Sequence, residues 1–279
     1  FSDLVGHWRL DGNASDSSGN GYHGVHSNAN IYNNDTPFGE GQSVNLNGNK
    51  YITVSDGGNQ ATFDGGSVFS ISTWVKEWPD GGWEPYISKR GEGGQGWQLR
   101  RRGGDADRIS FTLRGPGNDD WFFQKNINDN QWHHLVGVYG GGKRRGYVDG
   151  VKIAEENRGG SVNATGSQLV FGARDNSGNA GNGVNIGNQS STWLDDVRFY
   201  RAALTDADVS AIYNNGQGDL SRPVPSPLFT GVSTTAASPF SVGVTWVMED
   251  ANTSVTGFTA SDVTVTGGTV SKGDLIRPV

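Results

Sequence analysis

The sequence predicts an all-β protein: a sandwich of antiparallel strands with one short helix, followed by a short second β segment. Two observations support this. Runs in which apolar and polar residues alternate recur through the first two hundred residues, separated by Gly/Asn/Asp clusters. The chain also has 44 Gly among 279 residues, about double the number expected at an average usage of roughly 7%, which indicates many tight turns.

The alternating runs predict a strand at each of the following places: HWRL (7–10), SVNL (43–46), YITV (51–54), SVFSISTWVK (67–76), PYISK (85–89), GWQLRR (96–101), RISFTLR (108–114), WFFQK (121–125), WHHLVGVY (132–139), RGYVDGVKI (145–153), QLVFGA (168–173) and WLDDVRFY (193–200). The clearest hairpin is YVDGVKI. Asp149 and Gly150 can both adopt positive φ there, in a type I′ turn whose twist matches the flanking strands.

The helix is predicted to begin after Thr205, a good N-cap residue, and to be ended by Asn214, Asn215 and Gly216. Its apolar residues Val209, Ile212 and Tyr213 are spaced i, i+3, i+4. The composition changes after Leu220 to Ser, Thr, Val and Pro. We therefore predict a first domain over 1–220, a stiff Pro-rich linker over 221–227 and a second unit over 228–279.

Composition excludes several functional classes. The absence of Cys removes disulfides, zinc–thiolate sites and thiol nucleophiles. A net charge of −7 argues against general binding to nucleic acid, because such binding needs a basic surface. No stretch approaches the roughly 18 consecutive apolar residues of a membrane-spanning helix, so we expect no membrane insertion.

The order of the motifs is specific even though each motif alone is weak. HWRLDG, DSSGNGYHG, SVNLNGNKYITV, FSISTWVK, WHHLVGVYGGGKRRGYVDG, LVFGA and LDDVRFYRAALTDADVSAIY follow one another in the chain. In this order they resemble the LamG-like jellyroll domain of the concanavalin A-like lectin/glucanase superfamily, over about residues 4–214. The resemblance implies two curved antiparallel sheets, a face or loop rim that binds glycans or proteins, and frequently a structural calcium ion.

The second unit, chiefly VTGFTASDVTVTGGTVS, resembles the start of a bacterial immunoglobulin-like surface repeat. Such modules need about 80–100 residues, so we expect this one to be partial. A partial sandwich leaves strand edges unpaired.

A calcium site is predicted from residues at both ends of the first domain. Asp11, Asp16 and Asn20 lie in a turn-rich segment whose carboxylate, amide and main-chain oxygens are the hard donors that Ca²⁺ prefers. The resemblance implies that Asp195 completes the set. The alternative is that these residues form Asx turns without any metal, because Asp and Asn favour turns on their own.

A ligand site is predicted where basic and aromatic residues concentrate. Residues 89–114 hold seven cationic side chains against three acidic ones. Alternation places Gln98, Arg100 and Arg102 on one face of their strand, and arginine forks suit carboxylate or sulfate groups. The predicted ligand-binding residues are Trp78, Trp83, Lys89, Gln98, Arg100, Arg102, Arg114 and Trp121. The alternative is that the arginines only solvate a sheet face and that the tryptophans cap the edge of the core.

Catalysis is not expected. Laminarinase-type hydrolases of the superfamily carry an E-x-D-x-x-E string, which this chain lacks, and the adjacent Glu155 and Glu156 point to opposite faces of a strand. We read His133 and His134 as packed or hydrogen-bonded histidines.

The sequence therefore predicts a non-catalytic carbohydrate-binding module for an acidic polysaccharide. We expect it to belong to a larger, secreted or surface-displayed bacterial protein. The alternative is an adhesin or spacer module that binds protein or no ligand.

Overall fold

A computed structural model describes residues 3–28, 31–55, 62–77, 82–91, 95–102, 108–117, 120–175, 186–187 and 191–214. All of them belong to the first of two units, Phe1–Leu220. The strands are β1 (Leu4–Trp8), β2 (Gly24–His26), β3 (Tyr32–Asn33), β4 (Ser43–Asn45), β5 (Ile52–Val54), β6 (Phe69–Glu77), β7 (Pro85–Arg90), β8 (Gly96–Arg101), β9 (Arg108–Leu113), β10 (Phe122–Gln124), β11 (Trp132–Gly140), β12 (Lys143–Val148), β13 (Val151–Asn157), β14 (Leu169–Phe171), β15 (Arg174–Asp175), β16 (Ile186–Gly187) and β17 (Thr192–Tyr200), and the helix is α1 (Asp206–Tyr213).

The strands form two large antiparallel sheets, which confirms the predicted all-β jellyroll sandwich. Sheet A has eight strands in the order β13-β12-β11-β6-β17-β4-β3, with β1 also paired to β17. Sheet B has seven strands in the order β10-β9-β8-β7-β14-β5-β2. The short strands β15 and β16 pair separately.

The core lies between the two sheets and is rich in aromatic rings. Phe69 of sheet A packs against Trp97 and Phe111 of sheet B, with ring centroids 5.2 and 5.6 Å apart. Leu99, Ile109 and Leu113 are also fully buried in this core. Alternation along β8 and β9 predicts these inward faces, and the structure confirms them.

The β12–β13 hairpin turns as predicted. Asp149 and Gly150 have φ values of 51° and 76°, the left-handed region that a type I′ turn requires at both positions. The Asp149 carboxylate also accepts a hydrogen bond from the backbone N–H of His134, at 2.9 Å. The turn is therefore tied to β11 as well as to its own strands.

Helix α1 covers part of the outer face of sheet A. Thr205 is its N-cap and forms a capping box with Asp208, and Asn214 ends the helix in the left-handed conformation. The buried residues Val209 and Ile212 pack onto a separate apolar cluster formed by Val136, Val138, Tyr147, Tyr200 and Leu204. The predicted helix is thus confirmed at both ends.

The predicted linker 221–227 and the partial immunoglobulin-like unit 228–279 lie outside the described residues. Among the described residues, no helix is long and apolar enough to cross a membrane.

Candidate functional site

The outer face of sheet B is polar where β7, β8 and β9 lie side by side. Register pairs Ser88 with Gln98, and Gln98 with Thr112. Arg100 lies opposite Ser110 on the same side. These side chains point away from the core because their chain neighbours, such as Leu99 and Phe111, point into it.

This polar face is buried. Gln98 is 1% exposed and Arg100 6% exposed. Alternation along β8 places these side chains on its outer face, but that face is not a solvated surface at Gln98 and Arg100. A simple solvated arginine face, the alternative considered from the sequence, does not describe Arg100 either. Buried guanidinium groups need specific polar partners, because desolvation of a charge is costly.

One carboxylate is held between two of the arginines. Arg100 Nη2 lies 2.7 Å from Asp120 Oδ2, and Arg114 Nη2 lies 2.9 Å from Asp120 Oδ1. The Thr112 hydroxyl also donates to Asp120 Oδ1, at 3.1 Å. Asp120 thereby fixes the positions of both guanidinium groups.

Arg90 extends the group along β7. Its Nη1 donates to Gln98 Oε1 at 3.0 Å, and Gln98 Nε2 donates in turn to the Ser88 hydroxyl at 3.0 Å. The pKa of Arg90 is lowered to about 10, first by burial and then by the positive charges of Arg114, Arg100 and Arg174, against the opposing effect of Asp120. We call Arg90, Arg100, Arg114 and Arg174, with Asp120, the arginine cluster.

Among the described residues, three arginines of the cluster, Arg90, Arg100 and Arg114, have one carboxylate between them, that of Asp120. Burial also lowers the pKa of Arg100, even though Asp120 acts in the opposite direction. Within the described ranges, the Nε atoms of Arg90, Arg100 and Arg114 are buried without a hydrogen-bond partner. This surplus of positive charge around Asp120 favours the approach of an anionic group.

Two aromatic rings lie beside the cluster. Trp83 is 39% exposed, and the Arg100 guanidinium lies 4.5 Å from the centre of its ring. Arg102 lies in the same way over Phe122, at 4.7 Å, and the Trp83 and Phe122 rings are 6.3 Å apart. An exposed indole therefore adjoins guanidinium groups at one place.

Two predicted ligand residues lie elsewhere. Lys89 is fully buried on the other side of β7, where its Nζ donates to the Thr165 carbonyl at 3.1 Å and lies 3.5 Å from Asp64 Oδ1. Trp121 packs against the core beneath the Arg144 guanidinium, 5.0 Å from its ring centre. This is the core-edge position considered as the alternative for the tryptophans. Trp78 lies outside the described residues.

The sequence analysis missed Arg90, Asp120 and Phe122. Alternation along PYISKR contains a signal for Arg90, since it places Ser88 and Arg90 on one face of β7 and Lys89 on the other. Asp120 carries no such signal, because it follows β9 in a loop whose path the sequence does not specify.

The predicted calcium ligands fall into two groups. Asp16 accepts hydrogen bonds from the backbone N–H groups of His7, Ser18 and Tyr22 and from the Ser18 hydroxyl. Asn20 donates its amide to the Val5 carbonyl at 2.9 Å. These two residues therefore organise a turn against β1, as the Asx-turn alternative describes.

Asp195 and Asp11 form the other group. Asp195 is 1% exposed and accepts from the Thr36 hydroxyl at 2.8 Å and from the Asp196 N–H at 2.9 Å. Burial raises its pKa well above the ordinary value, and the nearby carboxylates of Asp196 and Asp11 raise it further. A buried carboxylate beside others suits a cation. In the described part of the chain, however, no three His, Asp or Glu side chains converge as a metal-ligand group.

A separate buried network lies at one end of the sheets. The Tyr86 hydroxyl donates to Glu77, and the Glu84 carboxylate accepts from the Ser191 N–H at 3.2 Å. Burial and the neighbouring carboxylates raise the pKa of Tyr86 well above its ordinary value. All three side chains are almost completely buried, so we assign this network a structural role.

Comparison with known proteins places this architecture in a family. Residues 46–210 match the laminin G-type family model that is described as the concanavalin A-like lectin/glucanases superfamily. The chain belongs to this superfamily. Within the superfamily the described fold, two antiparallel sheets around an aromatic core, agrees with the resemblance inferred from the motif order. A comparison with curated proteins finds no match.

Solved structures share the fold of this superfamily member at low sequence identity. One of them is domain 4 of AbnA, a GH43 extracellular arabinanase from Geobacillus stearothermophilus, in complex with arabinotriose. It superposes with a TM-score of 0.56 at 21% sequence identity, and the match covers 75% of this chain and 97% of that domain. The binding domain of Paraclostridial Mosquitocidal Protein 1 gives a TM-score of 0.55 at 17% sequence identity, and the match covers 76% of this chain and 52% of that domain.

The binding domain of botulinum neurotoxin DC in complex with SialylT gives a TM-score of 0.55 at 18% identity, with 77% of this chain and 52% of the toxin domain covered. This chain thus spans about half the length of the toxin binding domains that it matches.

Proposed function

We propose that this chain is a non-catalytic carbohydrate-binding module and that its ligand is an acidic polysaccharide. One observation carries the proposal: the exposed indole of Trp83 is held against Arg100, beside a buried arginine cluster with surplus positive charge. Ligand sites combine an apolar wall with a few placed polar groups, and this arrangement has both.

The two parts of the site suit the two parts of an acidic sugar. The flat indole offers apolar area for the face of a sugar ring, because C–H groups pack well on an aromatic face. The guanidinium groups provide paired N–H donors in a fixed plane, which matches the oxygens of a carboxylate or sulfate. Asp120 holds two of these groups in place before a ligand arrives, so little ordering is needed on binding.

The structural neighbours support the carbohydrate part of this proposal. One of them is in complex with arabinotriose and another with SialylT. The second of them is a binding domain, and the absence of an E-x-D-x-x-E string here also favours binding over hydrolysis.

Calcium is the proposed cofactor, with a structural role. The support is the buried Asp195 carboxylate, whose charge is opposed by burial and by Asp196 and Asp11. Thr36 and Asp11 are the side chains we assign beside it, because both already act on Asp195. A bound cation would offset this repulsion and stabilise β17 around Asp195.

In a larger secreted or surface-displayed bacterial protein, such a module would keep an attached domain near its polymer. Its effect would come from raised local concentration rather than from tight binding at one site.

Affinity gel electrophoresis tests the proposal. We expect wild-type protein to be retarded by at least one polysaccharide that carries carboxylate or sulfate groups. Trp83→Ala and Arg100→Ala should each weaken that retardation by about tenfold, which corresponds to the loss of one stacking or charge-assisted contact. Arg100→Lys keeps the charge but loses the fork, so it should bind less well than wild type.

Val151→Ala is the matched control, because Val151 is exposed on sheet A and contacts no part of the site. Each gel is run with calcium and with a chelator, and the melting temperature is measured in parallel. Calcium at about one hundred times its dissociation constant should raise the melting temperature by roughly 5–10 °C. Unchanged mobility on every polysaccharide would favour the spacer or adhesin alternative, and release of reducing ends would indicate an enzyme.

A further inference from the structure

A second group of aromatic side chains lies on the outer face of sheet A, on the opposite side of the sandwich. Three neighbouring strands pair Trp193 of β17 with Lys76 of β6, and Lys76 with Trp132 of β11. The three side chains point away from the core, because Val75 and Leu194 beside them point into it. We call Trp132, Lys76 and Trp193, with Asp35, the tryptophan row.

The spacing of the row follows from the sheet. Neighbouring strands lie about 4.8 Å apart, so the backbones that carry the two tryptophans are separated by roughly 10 Å. Lys76 lies between them, with its Nζ 5.3 Å from the centre of the Trp193 ring. Two indoles at this separation, with a polar group between them, can contact two sugar units of one chain.

Polar contacts hold the row in place. Asp35 Oδ2 accepts from Lys76 Nζ at 2.6 Å, and Asp35 Oδ1 accepts from the indole N–H of Trp132 at 2.8 Å. Partial burial alone would raise the pKa of Asp35, but the hydrogen bonds from Lys76 and Trp132 lower it below its ordinary value. The carboxylate therefore stays ionised and fixes both partners without a ligand.

The side chains of the tryptophan row are more exposed than those of the next row on the same face of sheet A. Asp195, Trp74 and His134 occupy that next row and are all almost completely buried. Phe38 packs on Trp74, and Tyr213 of α1 stacks on Trp74 and His134.

By contrast, the side chains of the tryptophan row are partly exposed. Trp132 and Trp193 are half-buried, and the Asp35 side chain is 39% exposed. In the part of the chain that the structure describes, the cover over sheet A is therefore thinner at the tryptophan row than at the next row.

Charge distinguishes this row from the arginine cluster. Lys76 and Asp35 neutralise one another, so the row offers one donor group and one acceptor group without net charge. Such a pair suits sugar hydroxyls, which both donate and accept, whereas it gives no advantage to a sulfate or carboxylate.

We propose that the tryptophan row is a second carbohydrate site, specific for neutral saccharides of at least two units, which stack on Trp132 and Trp193 and bond to Lys76 and Asp35. It does not depend on the acidic-glycan site. Together the two sites would make the module bivalent, with ligands on opposite faces of the sandwich.

Affinity gels with neutral polymers test this inference, using soluble arabinan, xylan and β-glucan, with polygalacturonate and heparin as acidic polymers. We expect a neutral polymer to retard the wild-type protein. Trp193→Ala and Trp132→Ala should each weaken that retardation by about tenfold, while retardation by acidic polymers is unchanged. Trp83→Ala should weaken retardation by acidic polymers and leave retardation by neutral polymers unchanged. Val151→Ala should change neither kind of retardation.

A measurement on the wild-type protein avoids any dependence on how the variants fold. Titration with arabinotriose and xylotriose should shift the indole N–H resonances of Trp132 and Trp193 in ¹H–¹⁵N spectra. Absence of both retardation by neutral polymers and these shifts would overturn the inference, as would loss of neutral binding in Trp83→Ala alone. A row that serves self-association would also overturn it. In that case the wild-type protein would form dimers in sedimentation experiments, Trp193→Ala would abolish the dimers, and no neutral glycan would bind. If the wild-type protein binds neutral polymers but no acidic polymer, only the proposed function is rejected.

Discussion

Two adjacent histidines on β11 lie in environments that shift their pKa values in opposite directions. His134 is fully buried, bonded through Nε2 to the Ser72 hydroxyl at 2.8 Å, and burial lowers its pKa to about 4. For His133, burial also lowers the pKa, but the carboxylates of Asp149 and Asp129 outweigh it and raise the pKa above the ordinary value. These contacts confirm that both are packed or hydrogen-bonded histidines.

His134 should make the fold less stable in acid. Unfolded, its imidazole binds a proton near pH 6.5, whereas in the folded protein it does so only near pH 4. As pH falls from 6.5 towards 4 the unfolded state therefore gains protons first, and the free energy of unfolding drops by about 3 kcal/mol. Urea unfolding at pH 7 and at pH 4.5 measures this drop, which His134→Gln should largely remove.

His133 is the matched comparison, because its raised pKa gives the opposite sign. Its stabilisation is fully present below pH 6.5 and is lost as pH rises through its higher folded pKa. His133→Gln should therefore make the loss of stability in acid steeper. An unchanged pH slope in His134→Gln would show that the buried imidazole is not the group that titrates.

Helix α1 depends on its N-terminal cap. The Thr205 hydroxyl accepts from the Asp208 N–H at 3.1 Å, and the Asp208 carboxylate accepts from the Thr205 N–H at 2.8 Å. Thr205→Ala removes the first bond and weakens the box, so it should lower the free energy of unfolding by about 1 kcal/mol and the melting temperature by roughly 2–4 °C. Thermal unfolding followed by circular dichroism measures the shift.

Ser210→Ala provides the control for the helix, since Ser210 is exposed in the same element. Alanine is the better helix former, so this variant should be neutral or slightly more stable. A melting temperature for Thr205→Ala that equals the wild-type value would mean that α1 is held by packing alone.

The longer elements could be predicted from the sequence because their signals are local. The strand β11 and the helix α1 each carry a clear period, and Asp149-Gly150 specifies its turn by backbone conformation. The strands β2 and β3 have only three and two residues, too few for any period. They exist because β5 and β4 pair with them, which depends on the folded structure.

Across the whole molecule, the close approach of the two sheets depends on a pair of glycines. Gly137 of β11 lies opposite Gly146 of β12 in sheet A. A Cβ at Gly137 would lie 2.8 Å from the Phe111 ring, and one at Gly146 would lie 2.5 Å from the Phe123 ring, both in sheet B. Aromatic rings of one sheet therefore rest directly on the backbone of the other.

Gly146→Ala should consequently separate the layers. The added methyl group meets a ring that is buried on all sides, and such overpacking costs about 1–3 kcal/mol. We expect a lower midpoint in urea unfolding. Gly159→Ala is the control, because a Cβ at Gly159 meets no atom within 4 Å and should leave the midpoint unchanged. Equal midpoints for both variants would contradict this account of sheet packing.

The candidate site could be predicted only in part, because it depends on contacts between residues that are far apart in the sequence. Alternation gave Gln98 and Arg100 the correct face, but it says nothing about what covers that face or which strands lie next to it. The register between β7 and β8 brings in Arg90, and the loop after β9 brings in Asp120. Both are long-range relations that no local pattern encodes.

The pairing of β1 with β17 has a consequence for any protein that contains this domain. Leu4 lies opposite Tyr200, so the first strand of the sandwich starts where its last strand ends. A force applied between Leu4 and Tyr200 would open this strand pair one hydrogen bond at a time, because it pulls the two antiparallel strands apart from their shared end.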